Sequence, residues 1–309
     1  MKIAFLGTPE FALPSLDALI AAGHTLAVFT QPDKPQGRHA RLTPPPVKVR
    51  AQENGIPVFQ PAHIRGDEGS AMLREFAPDL MVTAAFGQLL SKENLAVPTH
   101  GCINVHGSLL PRYRGAAPIQ WAIINGEKVT GITTMLTDVG LDTGDMLQQR
   151  ELRILPNETA GELSSRMAVL GAEVLTSTIE ALISGTLTRT PQDAALATKC
   201  TMLKKEDGRL DFFQSAQQVH DRVRGTNPWP GAYALLDDEP LKIWRTRTKC
   251  VAMPPGARPG FCFVDETHGL CVCCFDAALE IAELQARGAK RMAAAAYLRG
   301  RPLAGKTLR

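Results

Sequence analysis

Apolar runs and segments of helical periodicity alternate along the first half of the chain. Residues 2–6 form an apolar run that ends at a turn, and the apolar positions of residues 11–20 recur at helical spacing. The alternation continues with predicted strands at residues 26–30, 57–59 and 80–85 and predicted helices at residues 47–54 and 68–76. This order predicts an α/β domain built on a Rossmann-like, doubly wound parallel sheet.

A further group of elements extends the same domain. Residues 102–106 are predicted to form a strand, residues 116–125 a helix, and residues 130–137 and 146–154 two strands that flank the loop 138–145. A long helix is predicted over residues 158–183, with Asn157 as its N-cap and Gly185 at its end. The first domain is therefore assigned to residues 1–189.

The pattern changes after residue 189. Residues 190–206 are mixed and polar, and we interpret them as a linker between domains. Five short β-type runs, broken by Gly, Pro and Asp, follow at residues 232–236, 241–248, 260–264, 270–275 and 279–284. Short strands in this number predict a C-terminal β-barrel of oligonucleotide-binding (OB) type over residues 207–309.

Composition favours a cytoplasmic protein that does not enter a membrane. The 309 residues are 44% hydrophobic, which is enough for a sizeable core. No apolar run approaches the roughly 20 residues of a membrane span, and residues 1–7 reach a turn too early for a signal peptide. Seven cysteines form an odd, scattered set, which suits a reducing compartment. We expect a monomer.

The cysteines also bear on metal binding. Cys271, Cys273 and Cys274 lack a partner pair at the spacing of a zinc site, so we interpret them as packed strand thiols and expect no metal. The first turn, Gly7-Thr8-Pro9, lacks the Gly-x-Gly-x-x-Gly pattern of dinucleotide-binding proteins. A nicotinamide cofactor is therefore not expected.

The net charge of +3 is small, but basic residues are concentrated in a few places. Residues 34–50 and 242–249 contain several Lys and Arg residues and no acid, and residues 285–309 hold seven basic residues and no acid. Each group is either a solvated surface or a contact for a polyanion.

Two side chains of the predicted strand 102–106 are candidates for chemistry. Asn104 and His106 are two positions apart, so they project from the same face of a strand. Asparagine is a poor strand former and is costly when buried without a partner, so it indicates either a structural hydrogen bond or a function.

The loop 138–145 holds three aspartates and two glycines. A divalent-cation loop is one interpretation, but the residues do not follow the calcium-loop template. The alternative is a carboxylate that orients an imidazole and stabilises the imidazolium formed during proton transfer.

These motifs, taken together, resemble the folate-dependent formyltransferases. The resemblance is carried by Asn104-x-His106, by Ser108-Leu109-Leu110-Pro111-x-Tyr113-Arg114-Gly115 and by Leu141-Asp142-Thr143-Gly144-Asp145. Residues 7–11, 31–38 and 227–232 are similar to the branch of that family that acts on methionyl-tRNA, and the resemblance spans nearly the whole chain.

The resemblance implies an activity and a set of site residues. The reaction would move the formyl group of 10-formyltetrahydrofolate to the α-amino group of methionine on initiator tRNA, for translation initiation. It implies a catalytic trio of Asn104, His106 and Asp142, and folate contacts by Ser108, Leu109, Leu110 and Pro111. Attack of an amine on a formamide carbon creates an oxyanion, which Asn104 Nδ2 and a protonated His106 are suited to stabilise.

The basic groups then become candidate RNA contacts. By resemblance, residues 34–50 are the insertion that enters the acceptor end of the tRNA, with Arg38 at the best-matched position. The other basic residues predicted to contact tRNA are Arg41, Lys48, Lys242, Arg245 and Arg247.

Other functions compete with this prediction. A formyltransferase acting on a nucleotide-sugar amine or a purine precursor, or a formyl-folate hydrolase, would share the catalytic domain, but would not need the basic loop and barrel. A protein that only binds RNA would explain the basic residues but not the Asn104, His106 and Asp142 combination.

Overall fold

The computed structural model describes residues 1–36 and 41–309, with the side chains of all of these except Gln36, Arg41, Lys249 and Cys250. They form two compact units. The first unit contains residues 1–115, 131–152 and 164–199, and the second contains residues 116–130, 153–163 and 200–309. None of the helices in the described ranges has both the length and the apolar character of a membrane span.

The strands and helices are as follows. The strands are β1 Lys2–Gly7, β2 Thr25–Phe29, β3 Lys34–Gln36, β4 Arg41–Thr43, β5 Val58–Phe59, β6 Leu80–Ala84, β7 Cys102–His106, β8 Arg114–Gly115, β9 Val129–Leu136, β10 Met146–Arg153, β11 Lys199–Cys200, β12 Tyr233–Leu236, β13 Glu239–Val251, β14 Cys262–Asp265, β15 Gly269–Cys273, β16 Ala278–Ala286 and β17 Met292–Ala293. The helices are α1 Leu13–Ala21, α2 Pro46–Glu53, α3 Asp67–Phe76, α4 Lys92–Leu95, α5 Pro118–Ile124, α6 Ala160–Ile183, α7 Ala216–Gly225 and α8 Ala294–Leu298.

The first unit is built on a seven-stranded sheet in the order β10-β9-β7-β6-β1-β2-β5. β1 lies parallel to β2 and to β6, β2 lies parallel to β5, and β6 lies parallel to β7. The predicted parallel α/β sheet is confirmed over these five strands. β9 instead runs antiparallel to β7.

Burial explains why these strands read as apolar runs. β6 is buried at all five positions, and β1 is buried from Ile3 onward. Strands covered on both faces need apolar residues at successive positions, so they do not alternate. Thr83 on β6 and Asn104 on β7 are polar exceptions, and the register places them side by side.

The long helix α6 begins two residues later than predicted. Asn157 is not its cap. Thr159 Oγ1 accepts a hydrogen bond from the Glu162 backbone N–H at 3.3 Å, and Glu162 Oε2 accepts one from the Thr159 N–H at 2.8 Å. This reciprocal capping box fixes the start of the helix. The predicted end is confirmed, because Gly185 follows the helix with a φ of 72°.

The second unit contains an antiparallel half-barrel. Its strands follow the order β12-β13-β16-β15-β14, and β17 pairs with β16. All five predicted strands are present, whereas β17, with only two residues, carries no periodicity that a sequence pattern can detect. The core of this unit also includes Leu303 and Leu308, which are almost fully buried. The last residues of the chain therefore belong to the folded core.

Candidate active site

β7 brings two polar side chains toward the carboxyl edge of the first sheet. Asn104 and His106 lie two residues apart on this strand, so they share a face. Thr83 Oγ1, on the neighbouring β6, donates a hydrogen bond to Asn104 Oδ1 at 2.9 Å. Because Oδ1 is engaged on the β6 side, Nδ2 is the amide atom oriented to donate to a ligand.

The imidazole of His106 is buried between a backbone carbonyl and a carboxylate. Its exposed fraction is 6%. Nε2 lies 2.9 Å from the Tyr113 carbonyl oxygen, and since a carbonyl only accepts, Nε2 carries the hydrogen. Nδ1 lies 3.7 Å from Asp142 Oδ2, an ion-pair separation and not a hydrogen bond. Nδ1 is therefore the ring nitrogen positioned to exchange a proton beside the carboxylate.

Asp142 is held in place by the main chain. Its Oδ2 accepts a hydrogen bond from the Gly115 N–H at 2.7 Å, so the oxygen that faces His106 is also the anchored one. The residue has a φ of 52°, which is uncommon for a residue other than glycine and persists where surrounding contacts fix it. The structure thus places Asp142 Oδ2 3.7 Å from His106 Nδ1.

The rest of the loop 138–145, called the aspartate loop below, is held by its own hydrogen bonds. Asp138 Oδ1 accepts hydrogen bonds from Gly140 N at 3.1 Å and Thr143 Oγ1 at 2.7 Å. A Cβ at Gly144 would lie 1.7 Å from the Leu136 carbonyl oxygen, so only glycine fits there. Among the described residues, no group of three or more His, Cys, Asp or Glu side chains is placed to hold a metal ion. Asp138 is therefore best explained as a loop-forming residue.

Models of known protein families match both parts of the chain. The model described as "Formyl transferase" matches residues 1–179, and the one described as "Formyl transferase, C-terminal domain" matches residues 202–302. The chain belongs to the formyl transferase family. The resemblance predicted from the sequence motifs is confirmed.

Relatives of this formyltransferase chain are similar over nearly their whole length. A protein from Ruminiclostridium cellulolyticum is 54% identical over 301 residues, which is 97% of this chain and 96% of that protein. One from Geobacter metallireducens is 51% identical over 303 residues, again 97% of this chain and 96% of that protein. Both are named methionyl-tRNA formyltransferase.

Solved structures of two other proteins share the fold. An N-formyltransferase from Helicobacter canadensis, in complex with folinic acid and dTDP-3-aminofucose, aligns with a TM-score of 0.69 at 18% identity, over 90% of this chain and 97% of that one. HypX from Aquifex aeolicus, in complex with tetrahydrofolic acid, aligns with a TM-score of 0.65 at 17% identity, over 96% of this chain and 47% of that one. At this identity the likeness establishes the fold alone.

The four residues predicted to contact folate in this formyltransferase differ in exposure. Ser108 is fully buried, and its Oγ donates a hydrogen bond to the Arg112 carbonyl oxygen at 2.7 Å. Leu110 is also buried, whereas Leu109 and Pro111 are partly exposed. Ser108 and Leu110 therefore pack on the inner side of the turn 108–111. The accessible side chains of this turn are those of Leu109 and Pro111.

Two further residues hold this turn and were not singled out by the sequence. Thr133 Oγ1 donates to the Ser108 carbonyl oxygen at 2.7 Å and accepts from the Leu110 N–H at 3.1 Å. Gln149 Nε2 donates to the Leu110 carbonyl oxygen at 2.7 Å. The sign that marks Thr133 is a polar side chain at a fully buried strand position, which needs a hydrogen-bond partner.

The basic candidates in the first unit fall partly outside the described residues. Arg38 lies outside them, as does the side chain of Arg41. Lys48 Nζ forms an ion pair with Asp33 Oδ1 at 2.8 Å. The hydrogen bond from Lys48, followed by one from Gln60, holds the pKa of Asp33 below its usual value. Lys48 is thus already neutralised by a carboxylate.

One basic candidate in the second unit, Lys242, lies against an aromatic ring together with Arg291. Lys242 Nζ lies 5.0 Å from the centroid of the Trp244 ring, and the guanidinium carbon of Arg291 lies 5.2 Å from it. Trp244 Nε1 donates to Gln285 Oε1 at 2.9 Å, which fixes the ring. A cation stacked on a ring keeps its charge while its position is restrained, as for Lys242. Arg291 is also ion-paired with Glu283, so its charge is offset. Lys242, Trp244 and Arg291 are called the tryptophan cluster below.

The two arginines predicted alongside Lys242 are engaged by carboxylates. Arg245 forms an ion pair with Glu162, and Arg247 forms one with Glu280 at 2.7 Å. Their charge is therefore offset locally, which distinguishes them from Lys242.

The strand cysteines are packed thiols. Cys271, Cys273 and Cys274 are all buried. Burial raises the pKa of Cys271 and of Cys274 to about 12, which keeps both groups protonated at neutral pH. This agrees with the interpretation of these residues as core packing.

Proposed function

We propose that this chain transfers the formyl group of 10-formyltetrahydrofolate to the α-amino group of methionyl-initiator tRNA, in the cytoplasm and for translation initiation. The observation that carries the proposal is identity of 51–54% with proteins named methionyl-tRNA formyltransferase, over 97% of the chain and across both units. The arrangement of Asn104, His106 and Asp142 supports the chemistry independently.

The first step is attack of the neutral amine on the formyl carbon, which creates a tetrahedral oxyanion. Asn104 Nδ2 is the donor for that oxygen, because Thr83 holds Oδ1 on the other side. His106 Nε2 is engaged by the Tyr113 carbonyl, so His106 contributes at Nδ1. Asn104 is therefore proposed as the main donor to the oxyanion, whereas the sequence motifs suggest Asn104 and His106 together.

The second step is collapse of the tetrahedral intermediate. His106 Nδ1 takes the proton from the attacking nitrogen and delivers it to the departing folate nitrogen as the old carbon–nitrogen bond breaks, so no proton is gained or lost overall. Asp142, 3.7 Å away, stabilises the imidazolium that exists between these transfers. No covalent intermediate with the protein is required.

The substrates are proposed to contact different parts of the chain. Leu109 and Pro111 have the exposed surface to contact the folate. In the RNA-binding proposal, Lys242 of the tryptophan cluster contacts tRNA phosphates, and Arg38, Arg41 and Lys48 belong to the segment 34–50 that meets the acceptor end. Arg245, Arg247 and Arg291 contribute only where tRNA phosphates replace their carboxylate partners.

The proposal is tested by transfer of labelled formyl from 10-formyltetrahydrofolate to methionyl-tRNA. Wild-type protein should formylate initiator methionyl-tRNA, and Asn104→Ala should lower kcat by about 10²–10³-fold with little change in tRNA affinity. Asn54→Ala is the matched control, since Asn54 is an exposed residue whose Nδ2 donates to the Arg50 carbonyl oxygen of its own helix. Formylation of a dTDP-amino sugar in place of methionyl-tRNA would replace the proposed acceptor.

A further inference from the structure

The segment 190–199 lies within the predicted linker but is hydrogen-bonded to the catalytic loops. Thr190 exchanges two backbone hydrogen bonds with Met146, each of 2.9 Å, just after the aspartate loop. Thr198 Oγ1 accepts from the Tyr113 N–H at 2.8 Å, and the Thr198 carbonyl accepts from the Arg114 N–H at 2.8 Å. Both ends of the segment are thus attached to site-forming residues.

Gln192 joins the two loops through a single side chain. Its Nε2 donates to the carbonyl oxygens of Asp142 at 2.9 Å and Gly144 at 2.7 Å. Its Oε1 accepts from Arg114 Nε at 2.9 Å. All of the polar atoms of one amide are therefore used to bridge the aspartate loop and the turn 113–115.

That turn controls both partners of His106. The Tyr113 carbonyl oxygen accepts from His106 Nε2, and the Gly115 N–H donates to Asp142 Oδ2. Arg114 lies between them. A contact that fixes Arg114 relative to Asp142 consequently fixes the carboxylate relative to the imidazole.

The backbone conformations of Tyr113 and Asp142 need neighbouring contacts to hold them. Asp142 and Tyr113 both have positive φ values, 52° and 59°, although neither is glycine. A conformation of this kind is strained and is retained only where neighbouring contacts over-determine it. Donation from Gln192 to the Asp142 carbonyl is one of those contacts.

We propose that Gln192 is a positioning residue for formyl transfer, which sets the Asp142 carboxylate against His106 by bridging the aspartate loop to Arg114. This inference rests on the proposed function for its kinetic consequence. Its structural consequence, the ordering of residues 138–145 and 113–115, is independent of which acceptor the enzyme uses.

The first test measures amide hydrogen exchange in the full-length protein. Gln192→Ala should accelerate exchange in residues 138–145 and at the Gly115 amide. Asp193→Ala is the matched control, because the neighbouring Asp193 is exposed and caps its own turn, through a 2.9 Å bond from the Ala195 N–H. Gln192→Glu keeps an acceptor for Arg114 but loses both donors, and should also accelerate exchange in the aspartate loop. Unchanged exchange in both Gln192 variants would overturn the proposal.

The second test is a double-mutant cycle on formyl transfer. Gln192→Ala should lower kcat by about ten- to a hundredfold with KM for methionyl-tRNA nearly unchanged, whereas Asp193→Ala should stay close to wild type. In the Asp142→Asn background, Gln192→Ala should have much less effect, since it acts through that carboxylate. Fully additive losses would contradict the proposal. Absence of formyl transfer by the wild-type protein would contradict the proposed function, and the exchange result would still decide the role of Gln192.

Discussion

At the scale of single residues, the hydroxyl of Thr83 determines which way the Asn104 amide faces. An amide presents a donor on one side and an acceptor on the other, and the two orientations have nearly the same shape. Only the orientation with Nδ2 toward the substrate stabilises an oxyanion. The 2.9 Å bond from Thr83 Oγ1 to Oδ1 selects that orientation.

Replacing Thr83 by valine should therefore slow catalysis without unfolding the sheet. Valine keeps the branched shape but cannot donate, so we expect kcat to fall about two- to tenfold, the equivalent of one hydrogen bond, with KM values little changed. Thr83→Ser restores the donor and should recover most of the rate. Steady-state kinetics on methionyl-tRNA measure this difference, and a Val variant as fast as the Ser variant would count against an orienting role.

Individual site residues were predictable from sequence to different degrees. Asn104, His106 and Asp142 stand in motifs that mark them. The Tyr113 carbonyl and the side chain of Gln192 carry no such mark, because a backbone oxygen has no sequence signature and Gln192 acquires its role only from the loops it contacts in three dimensions.

At the scale of elements, the start of α6 depends on a single capping side chain. Thr159 is almost fully buried and makes both halves of the capping box with Glu162. Thr159→Ala should reduce the free energy of unfolding by about 1 kcal/mol. Asn157→Ala, at an exposed position before the helix, should leave it unchanged. Urea denaturation of the two variants separates these outcomes, and equal losses would return the cap to Asn157.

α7 carries a buried histidine that makes stability depend on pH. His220 is 2% exposed, with Nδ1 bonded to Thr246 Oγ1 at 2.8 Å and Nε2 bonded to the Pro156 carbonyl oxygen at 3.0 Å. Burial lowers the pKa of His220 below its ordinary value of 6.5. Between the folded and the unfolded pKa, the unfolded chain binds a proton that the folded chain does not, so stability decreases as pH falls below about 6.5.

The expected result is a smaller acid sensitivity in His220→Gln than in the wild type. The free energy of unfolding should be measured in urea at a pH above 6.5 and again below it. His100→Gln, at an exposed position, should retain the wild-type difference. Part of the difference should persist in His220→Gln, because burial also lowers the pKa of His24. Identical pH dependence in His220→Gln and wild type would show that His220 titrates equally in both states.

Elements with strong periodicity were predicted well, and the others were not. The strand Cys102–His106 has the predicted bounds because its apolar run stops at a glycine turn. The antiparallel direction of β9 is set by pairing with β7, a tertiary choice that periodicity does not encode. The polar composition of residues 190–206 predicted a linker. The hydrogen bonds that Gln192 makes to the aspartate loop and to Arg114 leave no periodic pattern, so the sequence does not show them.

At the scale of the whole molecule, ion pairs offset part of the basic charge that is clustered in the sequence. Several basic residues of the C-terminal tail face carboxylates, among them Lys306 with Asp237 and Arg309 with Asp238. Leu303 and Leu308 of the same tail are in the core, so deleting it would damage the fold as well as the charge. Single charge-removing substitutions are the cleaner test of RNA binding.

Lys242→Gln should reduce the dependence of tRNA affinity on salt. Removing one cation that neutralises a phosphate should lower the slope of log K against log salt by roughly 0.7–0.9. Lys306→Gln removes the same charge from a residue that is paired with Asp237, so it controls for net charge. Equal slopes for the two variants would show that Lys242 acts only through overall charge.

Because residues 190–199 are hydrogen-bonded to the site, the chain must extend past them before all of the contacts that position the site can form. The match to the catalytic-domain family ends at residue 179, after Asn104, His106 and Asp142 have all been made. On the ribosome, a nascent chain of that length would carry all three residues of the proposed catalytic trio while Tyr113, Arg114 and Asp142 still lacked their later-made hydrogen-bond partners. Catalytic competence should therefore appear in synthesis later than the catalytic residues themselves.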